Sequence, residues 1–287
     1  MSVDRHEITN TTVDGARSEA SSRLLADPEI HEAWESAYLN PGLDGIYEAV
    51  FERIHACLMG HPKPQMLDAG CGYCHHSVRL ARRGVRVTGL DFSQAALGAA
   101  KEVIAEAGQT GRVDLQEGSL LALPFDDDAF ENVLCWGVLM HIPEIETALS
   151  ELCRVVAPGG RLVIGENSWR SFDCRFLRPS LRFAKRVLGR RLPERRRTRF
   201  GIEEWTATDS GGLMVRNTDL SALIAFCAAR GFRLVDHFGG QFTEAYAHVR
   251  LPMLVRRIHA FNEARFARQT SPAFFHGQVM VFERGAT

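Results

Sequence analysis

Met66-Leu67-Asp68-Ala69-Gly70-Cys71-Gly72-Tyr73-Cys74 decides how the whole chain is read. A short apolar run ends in a carboxylate, then in closely spaced glycines, and a helical pattern follows. Glycines at such a turn let backbone approach a ligand closely. In open α/β sheets, ligands bind outside the carboxyl ends of the strands. Asp91 lies 23 residues after Asp68, at the end of the next strand-like run, Val85–Leu90. A carboxylate there suits two ribose hydroxyls.

Outward from that stretch the pattern alternates. Gln65–Asp68, Val85–Leu90, Val113–Gln116, Asn132–Trp136 and Arg161–Gly165 read as strands. Ser77–Arg83, Gln94–Ala107 and Ile145–Val156 read as helices between them, the last ended by Ala157-Pro158-Gly159-Gly160. Such alternation predicts a doubly wound, mostly parallel α/β sheet with helices on both faces. Asp219–Arg230 resumes as helix, Phe232–His237 as strand, Thr243–Gln269 as helix restarting at Pro252, and Gln278–Glu283 as a late antiparallel strand. Before the core, Asp27-Pro28-Glu29 starts a helix to about Leu39, and Asp44 caps a second over Gly45–Met59. The divisions expected are 1–60 (tail and helical cap), 61–166 (cofactor-binding core), 167–215 (basic lid) and 216–287 (completion of the sheet).

With 287 residues, 45% hydrophobic and 24% charged, the chain is neither disordered nor fibrous. Its longest apolar stretch, Val133–Met140, falls far short of the roughly 20 residues of a membrane span. Met1–Asn10 carries Asp4, Arg5, His6 and Glu7 and no apolar core, which predicts no secretory leader, a cytoplasmic chain and reduced thiols among its seven cysteines. The net charge of −1 conceals an asymmetry. Residues 170–199 hold eleven Arg and one Lys against Asp173 and Glu194, a local +10, so the remainder carries −11. A basic-protein argument for nucleic acid therefore fails.

Five segments in order resemble the class I S-adenosylmethionine-dependent methyltransferases across Gln65–Glu166. Leu67–Gly72 resembles the family's first motif, and Leu90-Asp91-Phe92-Ser93 its ribose-binding strand end. Gly118–Phe125 resembles the adenine-side loop, Phe130–Ile142 the fourth strand and its turn, and Leu152–Leu162 the closing helix, Pro-Gly-Gly turn and strand. A nicotinamide fingerprint would need a sixth-position glycine where His75 stands. Cys71-Gly72-Tyr73-Cys74-His75 also matches a haem-attachment or redox pattern, but the glycine turn uses the same residues. Two departures from the family stand out: Cys74 replaces a third glycine, and Ser119 replaces a frequent Asp.

The resemblance implies methyl transfer from S-adenosylmethionine, leaving S-adenosylhomocysteine, to a small-molecule acceptor. It implies cofactor contacts through Gly70, Cys71 and Gly72, Asp68 toward the amino group, Asp91 on the ribose and Phe92 beside the adenine. Ser119 and Leu120 meet the adenine edge, and Cys135 offers its carbonyl. Tyr38 and Trp34 sit about one helical turn apart, and one of them closes over the cofactor or both face the core. In-line displacement needs a base only when the nucleophile holds its proton. His141 and Glu166 are the candidates, and no metal is expected. Trp136 lines the acceptor pocket or the core. His237, His248 and His276 read as surface or core histidines. Gly201–Trp205 and Gly239–Glu244 read as ordered loops, and Glu203, Trp205, Arg216 and Glu244 are candidate acceptor contacts.

Within Phe176–Leu192, Leu177, Leu181, Ala184 and Leu188 fall at helical spacing among arginines, with Pro179 required in the first turn. The segment is a solvated lid paired to the acidic body, a peripheral anionic-membrane contact, an anionic-acceptor site or, least of all, an RNA contact. Two alternatives to a small acceptor therefore stand: a lipid-like acceptor at a membrane surface, and a non-catalytic cofactor-binding module. The sequence does not settle the oligomeric state.

Overall fold

The computed structural model describes residues 19, 21–39, 41–60, 64–208 and 211–286. Residues 1–18 of the tail and residues 61–63 lie outside them.

The core is built from β1 (Gln65–Ala69), α3 (His75–Arg82), β2 (Arg86–Asp91), α4 (Gln94–Glu106), β3 (Val113–Glu117), β4 (Phe130–Trp136), α5 (Ile145–Val155) and β5 (Val156–Asn167). Helices α1 (Pro28–Tyr38) and α2 (Pro41–Ala56) precede it. After it come α6 (Arg178–Val187), β6 (Glu194–Thr198), β7 (Gly201–Thr208), β8 (Gly211–Thr218), α7 (Leu220–Ala228), β9 (Phe232–Gly239), α8 (Pro252–Ala267) and β10 (Gly277–Arg284). Seven strands form one sheet in the order β3-β2-β1-β4-β5-β10-β9. The first five pair in parallel, and β10 runs antiparallel to both neighbours. This is the doubly wound, Rossmann-like arrangement that the alternation predicts.

Each face of the sheet is covered. Leu43, Val50, Phe51, Val78, Leu80 and Ile104 pack α2, α3 and α4 on one side. Leu149, Leu152, Leu223 and Phe226 pack α5 and α7 on the other. Burial on both faces explains why the central strands read as continuous apolar runs, each fully buried side chain contributing roughly 2 kcal/mol. Reversal of strand order beside β1 leaves a crevice at the carboxyl ends of β1 and β4.

Four sequence readings need correction. α2 starts at Pro41, not Gly45; Asp44 lies in its first turn and pairs with Arg79 at 2.7 Å instead of capping. The stretch at Gly201–Trp205 is strand, not loop: β6, β7 and β8 form a separate antiparallel sheet. β8 runs through position 215, where the lid was expected to end. The basic amphipathic helix begins as a π-helical turn, Asp173–Leu177, and α6 is shorter than Phe176–Leu192, with Pro179 inside its first turn.

Candidate active site

The glycine turn is fastened before any ligand arrives. Gly70 and Cys71 donate their amides to the Leu90 carbonyl at 2.7 and 2.9 Å. Asp91 accepts from the Gly72 amide and from the Ser93 amide, both at 2.9 Å. Gly70 has φ +83°, and a Cβ there would lie 2.5 Å from Val138. Gly72 has φ +51°, and a Cβ there would meet nothing nearer than His31 Nδ1 at 4.0 Å, so its open side is a cradle for a ligand. Cys74 stands where the third glycine was expected and still takes left-handed φ, +62°. Such a residue costs about 1–2 kcal/mol. Gly89 makes the room: a Cβ there would sit 3.0 Å from Cys74 Sγ and 3.1 Å from Cys71 Sγ.

The turn opens into a cavity of about 610 Å³. Asp68, Gly70, Cys71, Gly72, Asp91, Phe92, Ser119, Leu120, Tyr38, His141 and Glu166 all line it. Cys135 does not; its side chain is fully buried in the core, and Trp136 and Gly137 form the wall there instead. Asp68 accepts from the Ser77 hydroxyl at 2.6 Å. Burial lifts its carboxyl to about 6, and the neighbouring Asp91 charge adds to the rise while Ser77 opposes it. The Ser119 hydroxyl already accepts from the Leu121 amide at 3.1 Å.

α1 roofs the cavity with one face. His31, Trp34 and Tyr38 are three and four residues apart, so they project together. His31 stacks on Tyr73 beside the glycine turn, Trp34 stacks on His141 at 4.7 Å, and Tyr38 hydrogen-bonds Glu244. The roof therefore runs from the glycine turn to the far end. His31 stands beside Gly72, and Tyr38, expected at the cofactor, stands beside Glu244. His31 was missed, although helical spacing back from Trp34 would have found it.

Two proton-bearing groups lie along this line. His141 Nδ1 is 3.0 Å from the Met214 carbonyl, which can only accept. Its Nδ1 is thus protonated and Nε2 carries the lone pair. Burial lowers its pKa to about 4, so the ring is neutral at physiological pH. Glu166 ends β5 and is buried. It accepts from the Met140 amide at 3.2 Å and the Thr218 hydroxyl at 3.1 Å. Burial lifts its carboxyl to about 7 despite those donors and Arg216.

The far end holds a buried charge pair. His276 Nε2 lies 2.9 Å from Glu244, and Arg178 lies 3.6 Å from the same carboxylate. Burial alone would raise Glu244, but His276 and Arg178 hold it at about 2. Burial alone would lower His276, but Glu244 and Cys174 raise it to about 9. Around this pair the lobe is aromatic: Tyr47, His76 and Trp136 cluster at 5.2–6.2 Å between ring centres. Burial lowers His76 to about 3, so it adds a neutral ring. Of the other suggested acceptor contacts, Glu203, Trp205 and Arg216 are buried and do not line the cavity.

Residues 67–164 match the family described as a methyltransferase domain. An O-methyltransferase, resE, from Aspergillus sclerotiorum is 30% identical over 157 residues, 53% of this chain and 60% of the relative. The chain spans about half the length of the curated relatives it matches. Among solved structures, a SAM-dependent methyltransferase from Methanosarcina mazei superposes with a TM-score of 0.55 at 16% identity, covering 82% of this chain and 98% of that one. The [4+2]-cyclase SpnF superposes with the same TM-score at 20% identity, covering 84% and 82%. The fold is thus that of the methyltransferases, and it also carries a protein named for other chemistry.

Proposed function

We propose that this chain, whose residues 67–164 match a methyltransferase domain, is a class I S-adenosylmethionine-dependent methyltransferase that moves a methyl group from S-adenosylmethionine to a small-molecule acceptor. One observation carries this: the fastened glycine turn and Asp91 open into the same cavity as the aromatic lobe. The residues fit the cofactor. Gly72 leaves an uncrowded cradle, Asp91 keeps acceptor capacity on both oxygens, and Phe92 stands half-exposed beside it.

When bound, the cofactor supplies a methyl group on a sulfonium, ready for in-line displacement. The chain's own part is positioning and exclusion of water. The turn from Gly70 to Gly72 and Asp91 fix the donor end. Trp34 over His141 closes the middle. Tyr47 and Trp136, with ring planes 71° apart, give the acceptor an apolar corner. His141 Nε2 can take a proton from a hydroxyl acceptor, and Glu166 is the second group able to do so. The first test is calorimetry with S-adenosylmethionine and S-adenosylhomocysteine. Micromolar binding is expected, and no binding to the wild type would leave only the fold.

The Glu166 assignment can be tested without an acceptor. A carboxyl raised from 4.5 to about 7 gives stability that is fully present below about pH 4.5 and lost as pH rises through about 7. Glu166→Gln does not titrate. In urea unfolding across that range, the wild type should lose stability relative to the variant as pH rises. A constant difference would remove Glu166 as a titrating group.

A lipid-like acceptor, with a cytoplasmic chain that meets an anionic membrane through 170–199, is favoured by the exposed apolar and basic side chains of α6. No helix among the described residues is long and apolar enough to cross a membrane, so this contact would be peripheral.

A further inference from the structure

Two populations stand out in the basic segment, apart from Arg170 and Arg197 over the Trp169 ring and Arg175 over Phe274. Arg178, Arg182, Arg195 and Arg199 face carboxylates: Arg178 meets Glu244, Arg182 and Arg195 share Glu204, and Arg199 meets Glu146. The Arg178 and Arg199 pairs hold the lid to the body, and the two on Glu204 brace α6 and β6 against β7 within it. Among the described residues, Lys185, Arg186, Arg190 and Arg191 have no carboxylate partner, and all four are exposed.

The second population accompanies apolar side chains with nothing to pack on. Phe183 and Val187, one turn apart on α6, are 71% and 70% exposed, and Leu188 follows them at 70%. A second stretch, absent from the sequence reading, opens α8: Leu251, Met253 and Leu254 are exposed, Met253 at 70%. Scattered exposed apolar residues are ordinary, but six large ones in two short stretches are not.

The two stretches are neighbours. Arg178, at the head of α6, reaches Glu244, just before the 3-10 turn Ala245–His248 that leads to α8. Burial lowers the His248 pKa, and the positive charges of Arg178 and Lys185 lower it further, so the α6 side chains lie close to that turn. Phe176, Phe172, Phe242 and Phe261 continue the link, with ring centres 5.4–5.7 Å apart at each step. Arg178, Gln241 and Glu244 line the cavity, so both stretches border its acceptor end.

The charge is of one sign. Residues 174–193 hold seven basic residues and no Asp or Glu, and 249–258 hold Arg250, Arg256 and Arg257 with none either. We propose that this face docks on an anionic phospholipid surface. Phe183, Val187 and Leu188 and the Leu251–Leu254 stretch would enter the headgroup layer, while Lys185, Arg186, Arg190 and Arg250 meet lipid phosphates. The inference rests on the lipid-like-acceptor reading and adds to it a second element and an orientation: the acceptor end of the cavity turned toward the bilayer. A second copy of the chain is disfavoured, because pairing the same face twice brings like charge together. RNA is disfavoured because Val187, Leu188, Leu251, Met253 and Leu254 stand exposed among the rings and cannot stack on bases.

The test is flotation of the whole chain, without cofactor, on vesicles of phosphatidylcholine alone and of equal parts phosphatidylcholine and phosphatidylglycerol. Binding is expected to the anionic vesicles only and to weaken with salt. Lys185→Glu/Arg186→Glu should lower it at least about twenty-fivefold, two lost charges at about fivefold each. Phe183→Ser/Met253→Ser should lower it while leaving the salt dependence. Circular dichroism and S-adenosylmethionine calorimetry should match the wild type for both variants, which separates this inference from the methyltransferase assignment. No binding, equal binding to neutral vesicles, or binding indifferent to both variants would overturn it. A light-scattering mass of two chains in the wild type and one in Phe183→Ser/Met253→Ser would overturn it in favour of self-association.

Discussion

Asp91→Ala should weaken S-adenosylmethionine binding by at least about a hundredfold, close to 3 kcal/mol. Two losses combine. Asp91 is buried, and its carboxylate holds the Gly72 and Ser93 amides at 2.9 Å each. Hydrogen bonds to a charged group are each worth about 1.5–3 kcal/mol, so the alanine variant frees the turn that the ligand needs fixed. It also deletes the acceptor that the ribose hydroxyls would use. Asp91→Asn keeps the shape and one acceptor oxygen, but its amide nitrogen must face a backbone N–H. Its loss should be intermediate, about tenfold. Thermal melts should also fall by several degrees, since Gly72 borders the cavity but the Ser93 amide is buried and loses its acceptor. Calorimetry decides the matter: an Asp91→Ala dissociation constant within threefold of wild type would remove Asp91 from the cofactor site.

Much of this site could be read from sequence because it is local. Strand, glycine turn and helix occupy one short stretch, and Asp91 follows at the next strand end, so periodicity and spacing were enough to bring them together. At the far end of the cavity only Glu244 had been singled out as an acceptor contact, and its partners were not legible. Tyr38, Arg178, Glu244 and His276 come from four segments spread over more than two hundred residues. No spacing rule links them, and His276 reads as an ordinary histidine until Glu244 is seen 2.9 Å away. The second sheet was missed for a different reason. β6 is Glu194-Arg195-Arg196-Arg197-Thr198, a run whose charge suggests solvent and not pairing. Its partner β7 supplies Glu203 and Glu204 opposite Arg196 and Arg195, so the strand's stabilising signal lies across the sheet and not along the chain. Cys135 fails as a wall residue for a similar reason: sequence places it near the strand end, but only the bend at Trp136–Gly137 decides which residue reaches the cavity.

Arg216→Ala should destabilise the fold by about 3–5 kcal/mol, the cost of stranding a buried charge. Sequence suggested an acceptor contact for this residue, but its side chain is 1% exposed. The guanidinium donates to the Leu139 carbonyl at 2.8 Å, Ile142 at 2.9 Å and Pro143 at 3.2 Å, and to Glu203 at 2.8 Å. Glu203 stands directly opposite it in the β7–β8 register and is itself buried. Arg216 thereby ties the second sheet to the turn that carries His141. Its truncation leaves one carboxylate and three carbonyls without their donor. Arg216→Lys should recover only part of the loss, because one ammonium cannot span four acceptors that a planar fork reaches. Glu203→Gln/Arg216→Met should be more stable than Arg216→Ala, since it removes the stranded charge and fills the space. Denaturant unfolding of the four proteins measures each step. An Arg216→Ala variant within 1 kcal/mol of wild type would mean that water reaches the pair and the tie is slack. If the expected loss appears, His141 should also lose its fixed place over Trp34, because the turn from Leu139 to Pro143 is anchored by this one side chain on three of its carbonyls. Near-ultraviolet circular dichroism of the Trp34 environment in folded Arg216→Lys would then differ from wild type, while cofactor binding at the glycine turn, which Arg216 does not touch, would be retained.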